Sequence, residues 1–322
     1  MSKKPRFPPT PRNIVFVLFP GFQILDVTGP LAAFEIASRF VPGAYKLKLT
    51  AREAGLVPSS AGVSMPTEAL AQQRNIDTLI VSGGHGTRAA MDDAKLIALL
   101  KRAPAKARRV ASVCSGAFLL AQAELLEGKR ATTHWRQAPR LTAAFPNVRV
   151  EPDCIHIADG AIWTSAGVSA GIDLALAMIS EDLGADVAAN VAREMVVYAK
   201  RPGGQAQHSA LLELEAPRFE KLNAWMRDHL AEDLSVERLA RQAAMSERTF
   251  ARVYAAETGV TPAKAVERMR VDTARAALEQ GGSIQEIARR TGFGDSERMR
   301  RAFIRLYGAP PASMRRTLPR RA

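Results

Sequence analysis

The chain holds 322 residues, with 45 Lys and Arg against 32 Asp and Glu for a formal charge of +13, and 47% of it is apolar. That length suits about two domains with sizeable cores. No apolar run approaches the ~20 residues needed to cross a bilayer, and Cys114 and Cys154 alone make no disulfide framework. A membrane-spanning chain and a disulfide-stapled secreted module are thereby excluded, and a reducing cytoplasm is the expected compartment. The charge is spread over both halves, but residues 283–322 hold ten Arg against Glu286, Asp295 and Glu297. Such density favours phosphate contacts, although a solvated tail would have the same composition.

In chain order, residues 1–12 are basic and proline-rich without a signal-peptide apolar core, so they read as a floppy lead-in. Asn13–Phe19 is a continuous apolar run, Pro30–Arg39 is amphipathic, and Lys46–Thr50 alternates as a strand does. Thr78–Val81 predicts a buried strand that ends in Ser82-Gly83-Gly84-His85-Gly86. Met91–Ala103 reads as helix, Arg109–Val113 as strand and Gly116–Leu126 as helix. Short strands are expected at Arg130–Thr133, Ile155–Ala158 and Ile162–Thr164, and an apolar helix at Ser169–Glu181. Strands alternating with helices over residues 13–200 imply a three-layer α/β domain with a mostly parallel sheet. Residues 201–217 open on Arg-Pro-Gly-Gly and read as a linker, and from Arg218 the chain turns helical to about residue 318.

The last ninety residues contain a repeat. Ser235–Ala263 and Ser283–Ala312 align at an offset of 48, then 49, so that Leu239 matches Ile287, Arg252 matches Arg301, Tyr254 matches Phe303 and Gly259 matches Gly308. Each copy predicts a short amphipathic helix, a turn, and a second helix with arginines outward: a helix-turn-helix, present twice. Ser235, Ser246, Thr261 and Ser283 are the expected caps, and a long helix from Pro262 to Gln280 would fix the spacing of the copies. Leu239, Phe250 and Tyr254 face inward in the first copy, as do Ile287, Met299 and Phe303 in the second. Charged helical stripes are commonly solvated faces, but duplication of the whole unit favours double-stranded DNA as the partner.

Residues 218–318 resemble the DNA-binding domain of the AraC/XylS family, most visibly in GFGDSERMRRAFIRLYGAPPASMR. The resemblance implies that Arg248 and Arg252 occupy reading positions in the first copy, and Ser296, Glu297, Arg300 and Arg301 in the second, with Arg298 beside them. Asp295 stands where Ser is commoner, which puts a cap or a base contact in question.

In the α/β half the strongest chemical candidate is Cys114, between the strand RRVASV and the helix SGAFLLAQAELL. A sharp strand-to-helix turn with small neighbours is the geometry of a nucleophile elbow, and a helix N-terminus there would favour the thiolate. A buried structural cysteine is the competing reading. Gly83 and Gly84 could offer backbone N–H groups to an anion or carbonyl oxygen, and strand ends of an open sheet gather at one crevice. His134 ends the next strand, where it would be a ligand contact, a structural hydrogen-bonder or a base. No metal or cofactor is expected, since His85, His134, His156 and the two cysteines lack ligand spacing.

FPGFQILDVTGP, VSGGHG, VCSGAFLLAQAELLEGKRATTHW and DGAIWTSAGVSAGIDLALAMI together resemble the ThiJ/PfpI superfamily, above all the GlxA-type regulators that join such a domain to an AraC-type tail. That resemblance implies a flavodoxin-like, class I amidotransferase-related fold and a ligand pocket containing Asp26, Gly83, Gly84, Cys114, Ser115 and His134. It also implies an acid paired with the elbow cysteine, at Asp26, and a homodimer joined through the α/β domain. Peptidase-like members place His after the cysteine; this chain has Ser115. The expectation is therefore a regulator whose pocket senses a small effector, amino-acid-like or a quaternary amine by analogy. The alternative is a thiol enzyme, hydratase- or amidase-like, with Cys114 as nucleophile and Asp26 as its partner.

Overall fold

The computed structural model describes residues 10–105, 107–197, 203, 207, 217–280, 282–307 and 310–314. Contacts divide the chain after Gly203 into two compact units. The predicted lead-in (up to residue 9) and all of the predicted linker except Gly203, Gln207 and Pro217 lie outside the described residues.

Among the described residues the first unit is built on ten strands: β1 (Arg12–Val17), β2 (Tyr45–Ala51), β3 (Gly55–Pro58), β4 (Ser64–Ala69), β5 (Thr78–Val81), β6 (Arg109–Val113), β7 (Arg130–Ala131), β8 (Arg149–Val150), β9 (His156–Asp159) and β10 (Ile162–Ser165). Eight of them form a sheet in the order β3-β4-β2-β1-β5-β6-β10-β9, and β7 and β8 pair separately. Pairing is parallel from β4 through β10, with β3 and β9 antiparallel at the two edges. Every residue of β5, β6 and β10 is buried, so the central sheet is covered on both faces, as unbroken apolar strands require. The cover comes from α1 (Ile24–Phe40), α2 (Thr87–Met91), α3 (Ala94–Lys101), α4 (Gly116–Gln122), α5 (Ala138–Ala144), α6 (Ala170–Leu183) and α7 (Ala185–Glu194). Of these, α1, α6 and α7 pack on one another, and α2, α3 and α4 form a second group.

Three departures from the sequence reading have local causes. Helix α1 begins six residues earlier than the amphipathic pattern does and carries Pro30 inside it, which brings Asp26 into its first turn. The helix expected over 91–103 is the shorter α3, which starts at Ala94 because Asp93 caps it by accepting from Leu96 N at 3.1 Å, while α2 ends at Met91. The β3–β4 hairpin was not predicted: Pro58 and Pro66 break the strand pattern, and β3 tolerates proline as an edge strand.

The second unit is helical. A leading helix, Glu220–Asp228, precedes the first support helix Val236–Gln242 and first reading helix Glu247–Thr258. The connecting helix Pro262–Gln280 follows, with the bounds expected, then the second support helix Ile284–Arg290, second reading helix Ser296–Tyr307 and a closing turn of helix Pro311–Met314. Two separate apolar cores result. Ala265, Val266 and Met269 of the connecting helix join Leu239, Phe250 and Tyr254. Val271, Ala274 and Leu278, further along it, join Ile287, Met299 and Phe303. One helix thus closes the cores of both repeats.

Candidate functional sites: the elbow and the reading helices

The turn between β6 and α4 is strained. Cys114 sits at φ +56°, in the left-handed region that non-glycine residues avoid. Three glycines leave room for it. A Cβ at Gly167 would lie 2.2 Å from the Cys114 Cβ, one at Gly83 would lie 2.5 Å from Ser115 N, and one at Gly116 would lie 2.4 Å from the Val81 oxygen. Hydrogen bonds hold the turn from both sides: Cys114 N donates to Ser165 O at 3.0 Å, and the Thr133 hydroxyl donates to Cys114 O at 2.8 Å. The elbow geometry expected from the sequence is present.

Asp26 is fully buried beneath this turn. Its Oδ2 accepts from Gly83 N at 3.0 Å, its Oδ1 accepts from Val168 N at 2.8 Å, and the Cys114 thiol donates to it. Burial pushes its pKa up to about 6, against the pull of those donors. Burial likewise pushes the Cys114 thiol up to about 12, and the neighbouring Asp26 charge adds to the rise. Burial and the adjacent carboxylate thus oppose the thiolate that a helix N-terminus would favour, against the pull of Ser115.

The two glycine donors also need correction. Gly83 N is bound to Asp26, and Gly84 N donates to Ser115 Oγ at 2.9 Å, which itself lies 2.8 Å from Thr87 Oγ1. Neither N–H points at a vacant oxyanion position. His134 follows Thr133 on the loop tied to the elbow, but its ring stacks on Trp135 at 5.7 Å, and its Nδ1 accepts from Arg136 N at 3.3 Å. Gly167, Val168, Thr87 and Thr133 also build the site, and the sequence reading missed them. The run of small residues from Ser165 to Gly171 was the available signal for the first two.

Each reading helix is anchored by its cap and its core. Ser246 accepts from Thr249 N at 3.3 Å, and Gly259 closes the first helix in the left-handed conformation. Asp295 accepts from Arg298 N at 2.7 Å, so the exchange of Ser for Asp preserves the cap of the second. The buried faces carry Phe250 and Tyr254, and Met299, Ala302 and Phe303. Arg248 and Arg252 are exposed on the first helix; Ser296, Glu297, Arg298, Arg300, Arg301 and Arg305 are exposed on the second. The second set is internally paired. Glu297 holds Arg300 through two bonds of 2.8 and 2.9 Å and lies 4.0 Å from Arg301, while Asp295 lies 3.5 Å from Arg298. Arg305 pairs with Glu267 of the connecting helix. Arg300 holds the Glu297 carboxyl below the usual carboxylate range.

The profile of the DJ-1/PfpI family matches residues 12–181, and that of a helix-turn-helix domain matches residues 239–317. The chain belongs to the DJ-1/PfpI family. Its kinship extends to full-length two-domain proteins: the HTH-type transcriptional regulator GlxA of Rhizobium meliloti is 31% identical over 325 residues, covering 95% of this chain and 96% of that one. Isonitrile hydratase of Pseudomonas putida is 36% identical over 194 residues, 59% of this chain and 80% of that one. The crystal structure of a ThiJ/PfpI family protein from Pseudomonas syringae superposes with a TM-score of 0.53 at 29% identity, over 63% of this chain and 83% of that one. This DJ-1/PfpI chain thus carries an AraC-type helix-turn-helix domain behind its α/β domain. Among the described residues no helix is long and apolar enough to cross a membrane.

Proposed function

We propose that the protein is a sequence-specific DNA-binding transcription regulator whose DJ-1/PfpI domain senses a small metabolite. The observation that carries this reading is the duplicated helix-turn-helix unit, with exposed arginines on both second helices. Arginine at a base edge bonds guanine through two donors, and arginine beside the groove holds phosphate. Arg248 and Arg252 serve the first helix in this reading; Arg298, Arg300 and Arg301 serve the second, with Ser296 and Glu297 at its N-terminal end. The full-length likeness to a transcriptional regulator supports it.

The elbow supports sensing rather than turnover. A working thiol needs a populated thiolate and donors aimed at developing charge, whereas burial and Asp26 push the Cys114 thiol toward its neutral form and the N–H groups of Gly83 and Gly84 are engaged. A metabolite contacting Asp26, Cys114, Ser115 or His134 would act by binding two arrangements of the protein with different affinity. Amino-acid-like compounds and quaternary amines are the effector classes to screen first, and a homodimer joined through the α/β domain is part of the same reading.

The second reading, a hydratase-like thiol enzyme, is favoured by the Cys114–Asp26 contact and by the 36% identity to isonitrile hydratase. A Cys114→Ser variant separates the two. Effector-dependent expression of a reporter should persist in it; loss of induction together with loss of turnover on an isonitrile would sink the sensor reading.

A further inference from the structure

The connecting helix is joined by a second link between the repeats. Its first half belongs to one apolar core and its second half to the other, and among the described residues no apolar cluster spans both. A helix of 19 residues, about 28 Å long, carries both cores, and the orientation of the repeats also depends on what bridges them beside it. A polar contact midway along it does this. Arg270 donates from Nε to Leu230 O at 3.1 Å and from Nη2 to Glu232 O at 2.7 Å. Those carbonyls belong to the turn between the leading helix and the first support helix, and so to the first repeat.

The turn of the second repeat closes on the same point. Gly292 sits at φ +80°, and a Cβ there would lie 1.8 Å from Leu230 O, 2.7 Å from Arg270 Nε and 2.9 Å from Arg270 Cζ. Any side chain would therefore push the second turn off the first repeat. The glycine is needed twice, for its conformation and for backbone-to-backbone approach. Arg270 and Gly292 also line, with Phe293, Arg298 and Arg301, an open groove of about 310 Å³. The contact thus adjoins the base of the second reading helix, where a small rotation displaces its arginines.

We propose that Arg270 and Gly292 bolt the two helix-turn-helix units into one rigid reader through the Leu230–Glu232 turn, and that this bolt sets the spacing of the two DNA half-sites. Arg270 is on this account a positioning residue, one arginine of the basic C-terminal half that serves the protein's own backbone instead of a phosphate. A rigid pair of readers binds its second half-site as an intramolecular event, at the high effective concentration that fixed geometry provides. A loosened pair keeps each half-site interaction and loses both the gain and the choice of spacing. The inference rests on the DNA-reading function proposed above.

The test uses full-length protein and a pool of random-sequence duplexes. Wild type should select paired half-sites at one spacing, near one helical turn of about 10 bp. Arg270→Met, which keeps the apolar stem but removes the donors, and Gly292→Ala are then measured on the selected duplex. The same measurements use duplexes with one half-site scrambled and duplexes with 1, 2 or 5 bp inserted. Both variants should bind each single half-site as wild type does, bind the intact duplex about tenfold more weakly, and accept insertions that wild type rejects. An unchanged spacing preference in both variants overturns the proposal. So does loss of single half-site binding equal to the loss on the intact duplex, which would mean that the contact only holds one unit folded. If wild type selects no sequence at all, it is the DNA-reading function that fails.

Discussion

The elbow and the reading helices use polar groups in opposite ways. At the elbow they turn inward: Asp26 takes the N–H groups of Gly83 and Val168, Ser115 takes that of Gly84, and Cys114 stays protonated. On the reading helices they face water, and among the described residues the arginines of the second are held by the exposed carboxylates of Asp295 and Glu297 and the half-buried one of Glu267. Exposed ion pairs contribute roughly 0–1 kcal/mol, so a phosphate can displace them cheaply. Engaged backbone donors in a buried turn are not displaced without unmaking it. A strained cysteine turn and a row of arginines therefore carry different weight: the first is built to hold a shape, the second to change partners.

The largest expected effect lies at the elbow. Native Cys114 should react with iodoacetamide at pH 8 about three orders of magnitude more slowly than in the unfolded chain, because so little of it is thiolate. Cys114→Ser supplies the background from Cys154. Equal native and unfolded rates would place an activated thiol here and remove the contrast.

Asp26 gives the next largest. Its folded pKa of about 6 lies above the ordinary 3.8, so the native state binds the proton more tightly than the unfolded state does. Its contribution to stability is present at low pH and is lost as pH rises through about 6. Relative to wild type, Asp26→Asn should gain stability between pH 4 and pH 7, by up to about 3 kcal/mol in the urea transition of the α/β unit. A difference that stays constant with pH would show that Asp26 titrates normally.

On the reading helices, Arg252→Ala and Arg301→Ala should each weaken binding to a selected duplex by about ten- to a hundredfold. The slope of log K against log salt should also fall by about 1 if the side chain meets phosphate. Unchanged binding for Arg301→Ala would mean that the second helix lies in a different register. Glu297→Gln should have the smallest effect, under about fivefold. It frees Arg300, so affinity and salt slope should both rise, while discrimination falls if the carboxylate reads a cytosine.

Much of this was legible in the sequence because its physics is local. The caps at Ser235, Ser246 and Ser283, the connecting helix and the inward Phe250, Tyr254, Met299 and Phe303 follow from propensity and 3.6-residue spacing. The elbow's position followed from one strand-to-helix junction. Its chemistry did not, because the rise in the Cys114 pKa comes from burial and from Asp26, which Gly83 and Val168 hold from other segments. The same holds for Arg270 and Gly292: composition marks one as a basic residue and the other as a turn glycine. Only the fold brings both to the Leu230 carbonyl.

The central claim is that two unequal helices of one chain read DNA together, and chemical footprinting of the full-length protein on its selected duplex tests it most directly. Two protected major-groove segments on one face, about one helical turn apart, are expected, with Arg252→Ala erasing protection in one and Arg301→Ala in the other. A single protected segment that both substitutions weaken alike would contradict it.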